Sequence, residues 1–234
     1  TLQINVTNTS GTAIDLSQIL LSFSEYYVEV TGFEFTFDET EKTAAVQKYT
    51  GTDTDVVIPA GISKKVVDGN TIFIEGNDYA VTSIADGASL YNSAFNSVRS
   101  TIQSVSLPQT LKRIGDYAFY NCTNLETLTF AEDSNLTEIG IWAFMYCSGL
   151  TGVITIPSTV TNIGASAFAF CNGLTGLIFE DGSEISSIGE EAFAECVSLA
   201  DVLFSGSQLK VINTSAFSSC QNLVGELVIP ASVE

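Results

Sequence analysis

Five cysteines and the three pairs of adjacent carboxylates in the second half of this chain are its residues best equipped for chemistry. The cysteines stand at 122, 147, 171, 196 and 220, so the gaps between them are 25, 24, 25 and 24. Cysteines bind zinc, form disulfides or act as nucleophiles, and each use needs its own arrangement. Zinc sites take their ligands in close pairs, and the chain has no C-x-x-C. A nucleophilic thiol needs a base, and the chain has no histidine. The carboxylate pairs are Glu132-Asp133, Glu180-Asp181 and Glu190-Glu191. A glycosidase sets two carboxylates across a groove. Here the first two pairs fall in loops and the third on an outer turn, where a solvated acidic surface accounts for them. The loops "AEDSN" and "EDGSE" offer oxygen atoms to calcium but lack the alternating spacing of a calcium loop. No G-x-S-x-G elbow and no phosphate-cradling glycine loop occurs. The pattern points away from an enzyme, and no catalytic residue, cofactor or metal ligand is assigned.

Bulk composition narrows the partners. Lys plus Arg is 8 and Asp plus Glu is 27, giving a formal charge of −19 over 234 residues. Such a surface repels phosphate backbones, which excludes nucleic acid as a partner. No apolar run approaches the ~18 residues of a membrane helix, so no transmembrane segment is expected. Five Asn-x-Ser/Thr sequons, at Asn5, Asn8, Asn121, Asn135 and Asn213, fit chance in a chain rich in those residues.

The cysteine spacing is the spacing of a phrase. "RIGDYAFYNCTNLETLTF" is followed by "EIGIWAFMYCSGL", "NIGASAFAFCNGLTGLIF", "SIGEEAFAECVSLADVLF" and "VINTSAFSSCQNL". Each copy carries an Ile (114, 139, 163, 188, 212), an Ala-Phe pair and a Leu three places after the Cys. A short apolar alternation follows, as in "LETLTF" and "LADVLF", which reads as a strand with one face buried. Strands recurring once per unit must run parallel. One unit cannot bury its own apolar face, whereas stacked units share a core. The phenylalanines then form a ladder opposite the sheet, with the cysteines beside it. Inward-facing copies of one rung aim their Cβ vectors alike, so all five thiols are expected reduced and unreactive. The stretch from Ile to Cys has room for turns or short helical pieces only.

Upstream, the pattern persists in "SAFNSVRSTIQSVSLPQTL", with Val98 in the cysteine slot, and in "TDVVIPAGI". "KKVVDGNTIFIEGNDYAV" reads as an inserted hairpin turning at Asp68-Gly69. The solenoid is placed at 44–234, with irregular units to about residue 110 and then five regular ones, the last truncated. Residues 1–43 alternate differently and read as an N-terminal β-containing cap or a small separate domain. The chain stops in "GELVIPASVE" with nothing like a polar cap. The expectation is a further repeat, a capping element or a neighbouring molecule over that end.

The phrase I-G-x-x-A-F-x-x-C-x-x-L, followed by a strand often ending in I-P, resembles the BspA-like leucine-rich repeat family, well over 81–234 and partly over 44–80. Common leucine-rich repeats place Asn where Cys stands here. The resemblance implies an α/β leucine-rich repeat solenoid dominated by β structure. That is a right-handed parallel-sheet superhelix of 24–25-residue repeats, with short turns or helical pieces opposite the sheet. It also implies a cell-surface or secreted protein that binds host extracellular proteins, such as matrix or plasma proteins, or neighbouring cells. The alternative is an accessory carbohydrate- or protein-binding part of a larger extracellular enzyme.

The strand alternation locates a candidate binding face. The outward slot before the last buried residue reads Ser106, Thr129, Thr155, Ile178, Leu203 and Val228. Its companion reads Ser104, Thr127, Val153, Gly176, Asp201 and Glu226. The first column turns apolar in its last three rungs, beside Asp201 and Glu226. An apolar centre with a polar rim has the makeup of a partner site, although strand propensity alone also favours Ile and Val.

Overall fold

The computed structural model describes residues 27–206, 208–224 and 227–234. Within the N-terminal stretch "LQINV" reads as a strand and "DLSQILLSFS" as a short helix, and both lie outside the described residues. The alternating run "FEFTF" forms β1 (Phe33–Asp38), antiparallel to β2 (Thr43–Tyr49). Its Phe33, Phe35 and Phe37 pack against Tyr49, Phe73 and Tyr79, with ring centroids 4.6–5.6 Å apart. After β3 (Asp55–Val57) comes the inserted hairpin, β4 (Gly61–Val67) and β5 (Asn70–Glu75), as the sequence suggests. Asp68 and Gly69 turn at φ 51° and 80°, the sense that matches strand twist in a two-residue hairpin. β6 (Tyr79–Ile84) then pairs parallel with β2.

From here each coil contributes two strands, not one. In order they are β7 (Ser104–Leu107), β8 (Arg113–Ile114), β9 (Thr127–Phe130), β10 (Glu138–Ile139) and β11 (Gly152–Ile156). They continue as β12 (Asn162–Ile163), β13 (Leu174–Phe179), β14 (Ser187–Ile188), β15 (Asp201–Phe204) and β16 (Val211–Ile212). The two-residue strands carry the recurring isoleucines and extend the β1–β2–β6 ladder into one ten-stranded sheet. Their pairing is parallel throughout. Two residues are too few to show a period, so only the second, longer row is legible as strand in the sequence. That row forms two separate three-stranded parallel sheets, β3–β7–β9 and β11–β13–β15.

An inserted residue marks the break between them. Leu125 to Phe130, Leu174 to Phe179 and Leu199 to Phe204 each advance by five positions, but Leu150 to Ile156 advances by six. The extra residue is Gly152, at φ 75°, where the register shifts. The ladder with β13 slips beside it: Gly152 pairs with Leu174 and Val153 with Gly176, so Thr175 is passed over. The expected continuous outward column is divided between Thr129 and Thr155, which lie in separate sheets.

The turns or short helical pieces expected between Ile and Cys are short connecting turns in the regular coils. The only helix among the described residues is a single 3₁₀ turn, Asn96–Val98. Two residues per coil adopt positive φ, four positions apart, for example Tyr117 (59°) and Asn121 (58°), then Trp142 (56°) and Tyr146 (64°). A left-handed residue costs ~1–2 kcal/mol and stops a helix. The N–H groups it turns outward are met by the next coil. Tyr117, Phe119 and Asn121 donate to the carbonyls of Ile141, Ala143 and Met145 at 2.8–2.9 Å. The result is a parallel β-solenoid with short connecting pieces.

The core is a set of stacked columns. Phe119, Phe144, Phe168, Phe193 and Phe217 stack at 5.0–5.4 Å with ring planes within 9° of parallel. Upstream the column continues through Phe95, 4.3 Å from Phe119, to Tyr49. All five cysteines are free thiols, and four of them are buried. Their role is to donate. Cys147, Cys171, Cys196 and Cys220 each reach the carbonyl of the phenylalanine one coil back, Phe119, Phe144, Phe168 and Phe193, at 3.1–3.3 Å. Where the slot holds Val98, the adjacent Ser97 hydroxyl supplies the bond, to the Tyr49 carbonyl at 2.8 Å. A thiol is small and apolar enough for the core and still carries a proton for that acceptor.

Burial raises these thiols, Cys122 and Cys171 well above the ordinary range and Cys196 to about 12. Thiolate is the reactive form. In native protein a thiol reagent should label Cys220 first, because it is half-exposed, and leave the other four untouched. In denaturant without reductant the count should be five; a count of one or three would disprove free thiols.

The same shift has a sign. Cys196 holds its proton more tightly when folded, so its contribution is complete below the ordinary thiol value of 9.0 and is lost as pH climbs toward about 12. Between those limits stability should fall by up to ~1.4 kcal/mol per pH unit from this group. Cys196→Ser keeps a donor and does not titrate there. Its denaturation midpoint should therefore decline less steeply than the wild type's above pH ~9; parallel declines would count against the assignment.

Candidate functional site

The second three-stranded sheet carries the apolar rungs singled out by the sequence. Its register sets Val153 opposite Gly176 opposite Asp201, and Thr155 opposite Ile178 opposite Leu203. Between them Ile154, Leu177 and Val202 turn inward, as do Ile156, Phe179 and Phe204. Alternation thus places Leu203 outside, at 54% exposure, although it is a large apolar residue. Asp201 is exposed beside it. Ile178, on the middle strand between Thr155 and Leu203, is half-buried by its neighbours.

Gly176 is also on the outward side, yet it is covered: a Cβ there would lie 3.1 Å from Val153 Cγ2. The missing side chain deepens the face into a groove of about 560 Å³, lined by Val153, Gly176, Ile178, Asp201, Leu203 and Leu227 among others. One wall is β15, whose only strand partner among the described residues is β13. The opposite wall is the segment holding Leu223, Val224 and Leu227.

That segment departs from expectation. "VGELVIP" reads as one more strand, but Leu227–Pro230 pairs with no strand among the described residues. The sequence supplies a reason: Leu223 to Ile229 spans six positions, as Leu150 to Ile156 does, with Gly225 in the place of Gly152. Val228 is 69% exposed but stands outside the groove, while its neighbour Leu227 lines it. Glu226 lies outside the described residues. The structure brings together Ile178, Asp201 and Leu203 and adds Leu227 and Val224, the latter 80% exposed. The six-position interval was the signal for that addition.

The arrangement can bind but offers little for catalysis. Among the described residues no group of three His, Cys, Asp or Glu could hold a metal ion. Of the carboxylate pairs, Glu180 is engaged locally, accepting the Ser158 N–H at 2.8 Å. Among the described residues no helix is long and apolar enough to cross a membrane.

Comparison with known proteins agrees with the coil architecture. Residues 88–232 match the model of the BspA type leucine-rich repeat region in six copies. A leucine-rich cell surface protein from Faecalibacterium prausnitzii A2-165 is 30% identical, with a TM-score of 0.61 over 87% of this chain and 54% of that one. A leucine-rich repeat protein from Bacteroides ovatus is 25% identical, with a TM-score of 0.62 over 83% of this chain and 45% of that one. The chain thus spans about half the length of these two relatives. The T. pallidum leucine-rich repeat protein shares the fold at 22% identity, with a TM-score of 0.54 over 82% of this chain and 88% of that one. None of the curated proteins matches.

The register gives a direct test on stability. Leu203→Asp should leave the thermal midpoint within a degree or two of wild type, because surface changes cost little. Leu177→Asp, at a position 1% exposed, should lower it severely by burying an unpaired charge. Equal losses in the two variants would show that Leu203 faces the core.

Proposed function

Because the chain belongs to the BspA-type leucine-rich repeat family, we propose that it is a non-enzymatic binding module of the cell surface or of secreted material. Its task is adhesion to an extracellular protein, of a host or of a neighbouring cell, through the groove on β11, β13 and β15. The carrying observation is an exposed Leu203 beside Asp201 over a groove of about 560 Å³ in a strongly acidic chain. The description of the Faecalibacterium relative as a cell surface protein supports the location. In this reading the coils wind right-handed with 24–25 residues each, and residues 1–43 cap their N-terminal end. Ile178 and Leu203 supply the apolar contact together with Val224 and Leu227, with Asp201 at its rim. Among the described residues the outer side of β15 pairs with no strand, and there an extended partner segment would add hydrogen bonds along the groove.

The test is affinity measured against a panel of purified plasma and matrix proteins. Wild type should bind at least one saturably, and Leu203→Asp should weaken that binding by about 2 kcal/mol or more, with the fold intact. A folded Leu203→Asp protein that keeps full affinity removes the groove as the site.

A further inference from the structure

The face opposite the partner groove in each phrase, the turn between Ile and Cys, carries a second pattern. Its two left-handed slots recur in every coil. The first reads Tyr117, Trp142, Ser166, Glu191, Ser215, and the second reads Asn121, Tyr146, Phe170, Glu195, Ser219, all at φ between 50° and 64°. The backbone therefore accepts Ser, Asn or Glu there, and aromatic rings are not what the turn requires. Four of the first six slots nevertheless hold them. Tyr117 meets Trp142 edge-on at 4.9 Å, Tyr146 stacks on Phe170 at 4.6 Å, and Tyr120 meets Tyr146 edge-on at 5.8 Å. All five side chains remain partly exposed.

Both columns then change to glutamate in the same coil. Phe170 N–H donates to the Ala194 carbonyl, which sets the Phe170 slot directly against that of Glu195. Ser166 Oγ donates to Glu191 Oε2 at 3.4 Å, joining the other pair. From Ile114 to Leu209 the chain has eight Glu and four Asp but no Lys or Arg, and Arg99 acts on Tyr120 at the N-terminal end of the face. The nearest upstream cation, Arg113, is already paired with Asp86 and Glu138.

We propose that this turn face is a second binding site, and that its occupant is a basic, arginine-containing polypeptide segment. A guanidinium lies flat on an aromatic ring and keeps its edge free for a carboxylate. The aromatic coils supply the stacking faces, and Glu191 and Glu195, one coil on, supply the charge. The site is separate from the groove, on different residues of each coil.

Trp142 is the chain's single tryptophan and stands within the patch, so its fluorescence reports occupancy. The probe is a capped tetra-arginine peptide titrated at near-physiological salt. Saturable change of Trp142 emission is expected in the wild type and in Leu203→Asp. Tyr146→Ser with Phe170→Ser leaves the charge untouched and installs a residue that other coils hold in these slots. It should weaken binding by about tenfold or more. Glu191→Gln with Glu195→Gln should also weaken it and flatten its salt dependence. Unchanged affinity in the serine variant, with its circular dichroism intact, would reduce the effect to diffuse charge attraction and overturn the proposal. So would a neutral oligosaccharide that perturbs Trp142 when the peptide does not.

Discussion

A coil of this chain can bury its apolar residues and satisfy its backbone only if a nearly identical coil lies against it. That mutual dependence governs the rest of the structure. The N–H groups of one turn are met by carbonyls of the next, the isoleucine strands pair coil to coil, and the phenylalanines stack at 5.0–5.4 Å. Contact is close enough to select the Gly after Ile. A Cβ at Gly164 would fall 2.6 Å from the Ile141 nitrogen of the preceding coil. Such a stack tolerates change only at positions that touch no neighbouring backbone.

The cysteine column is a consequence of that rule. Each phenylalanine carbonyl already accepts the N–H of the cysteine three places on, as Phe119 does from Cys122 at 3.2 Å, which leaves a second lone pair. A thiol of the following coil takes it at 3.1–3.3 Å. Ser97 replaces it where Val98 fills the volume without a proton. Four of the five cysteines in this register thus make one hydrogen bond, repeated coil after coil.

Much of this was legible in the sequence. The phrase from Ile114 to Phe130, copied downstream, pointed to the parallel stacking and the inward columns, and the alternation in "LADVLF" turned Leu203 outward and Val202 inward, as the structure has them. Two features were not. The strands at Arg113–Ile114 and its copies are two residues long, too short for any pattern to register. The turns resist reading as helix because residues as different as Trp142 and Glu191 share one left-handed backbone, which the coil's partner imposes and no local propensity announces. The six-rung outward columns keep their phase on β11, β13 and β15 but not their continuity: the outer row breaks between β9 and β11, and past β15 Leu227 rather than Val228 lines the groove.

Gly152 connects the architecture to the candidate function. A solenoid of perfect copies would present an unbroken sheet with no concavity of its own. At Gly152 the outer row breaks between β9 and β11, and a shallow hollow lined by Thr129, Glu132, Val153 and Thr155 opens there. The sequence repeats the insertion at Gly225, and the larger groove opens between β15 and the segment that follows. Because the isoleucine ladder runs uninterrupted behind both breaks, the coil loses one row of pairing without losing its stack. One-residue insertions in the outer row can thus place binding concavities along the molecule, while the inner columns that hold the coils together stay in register.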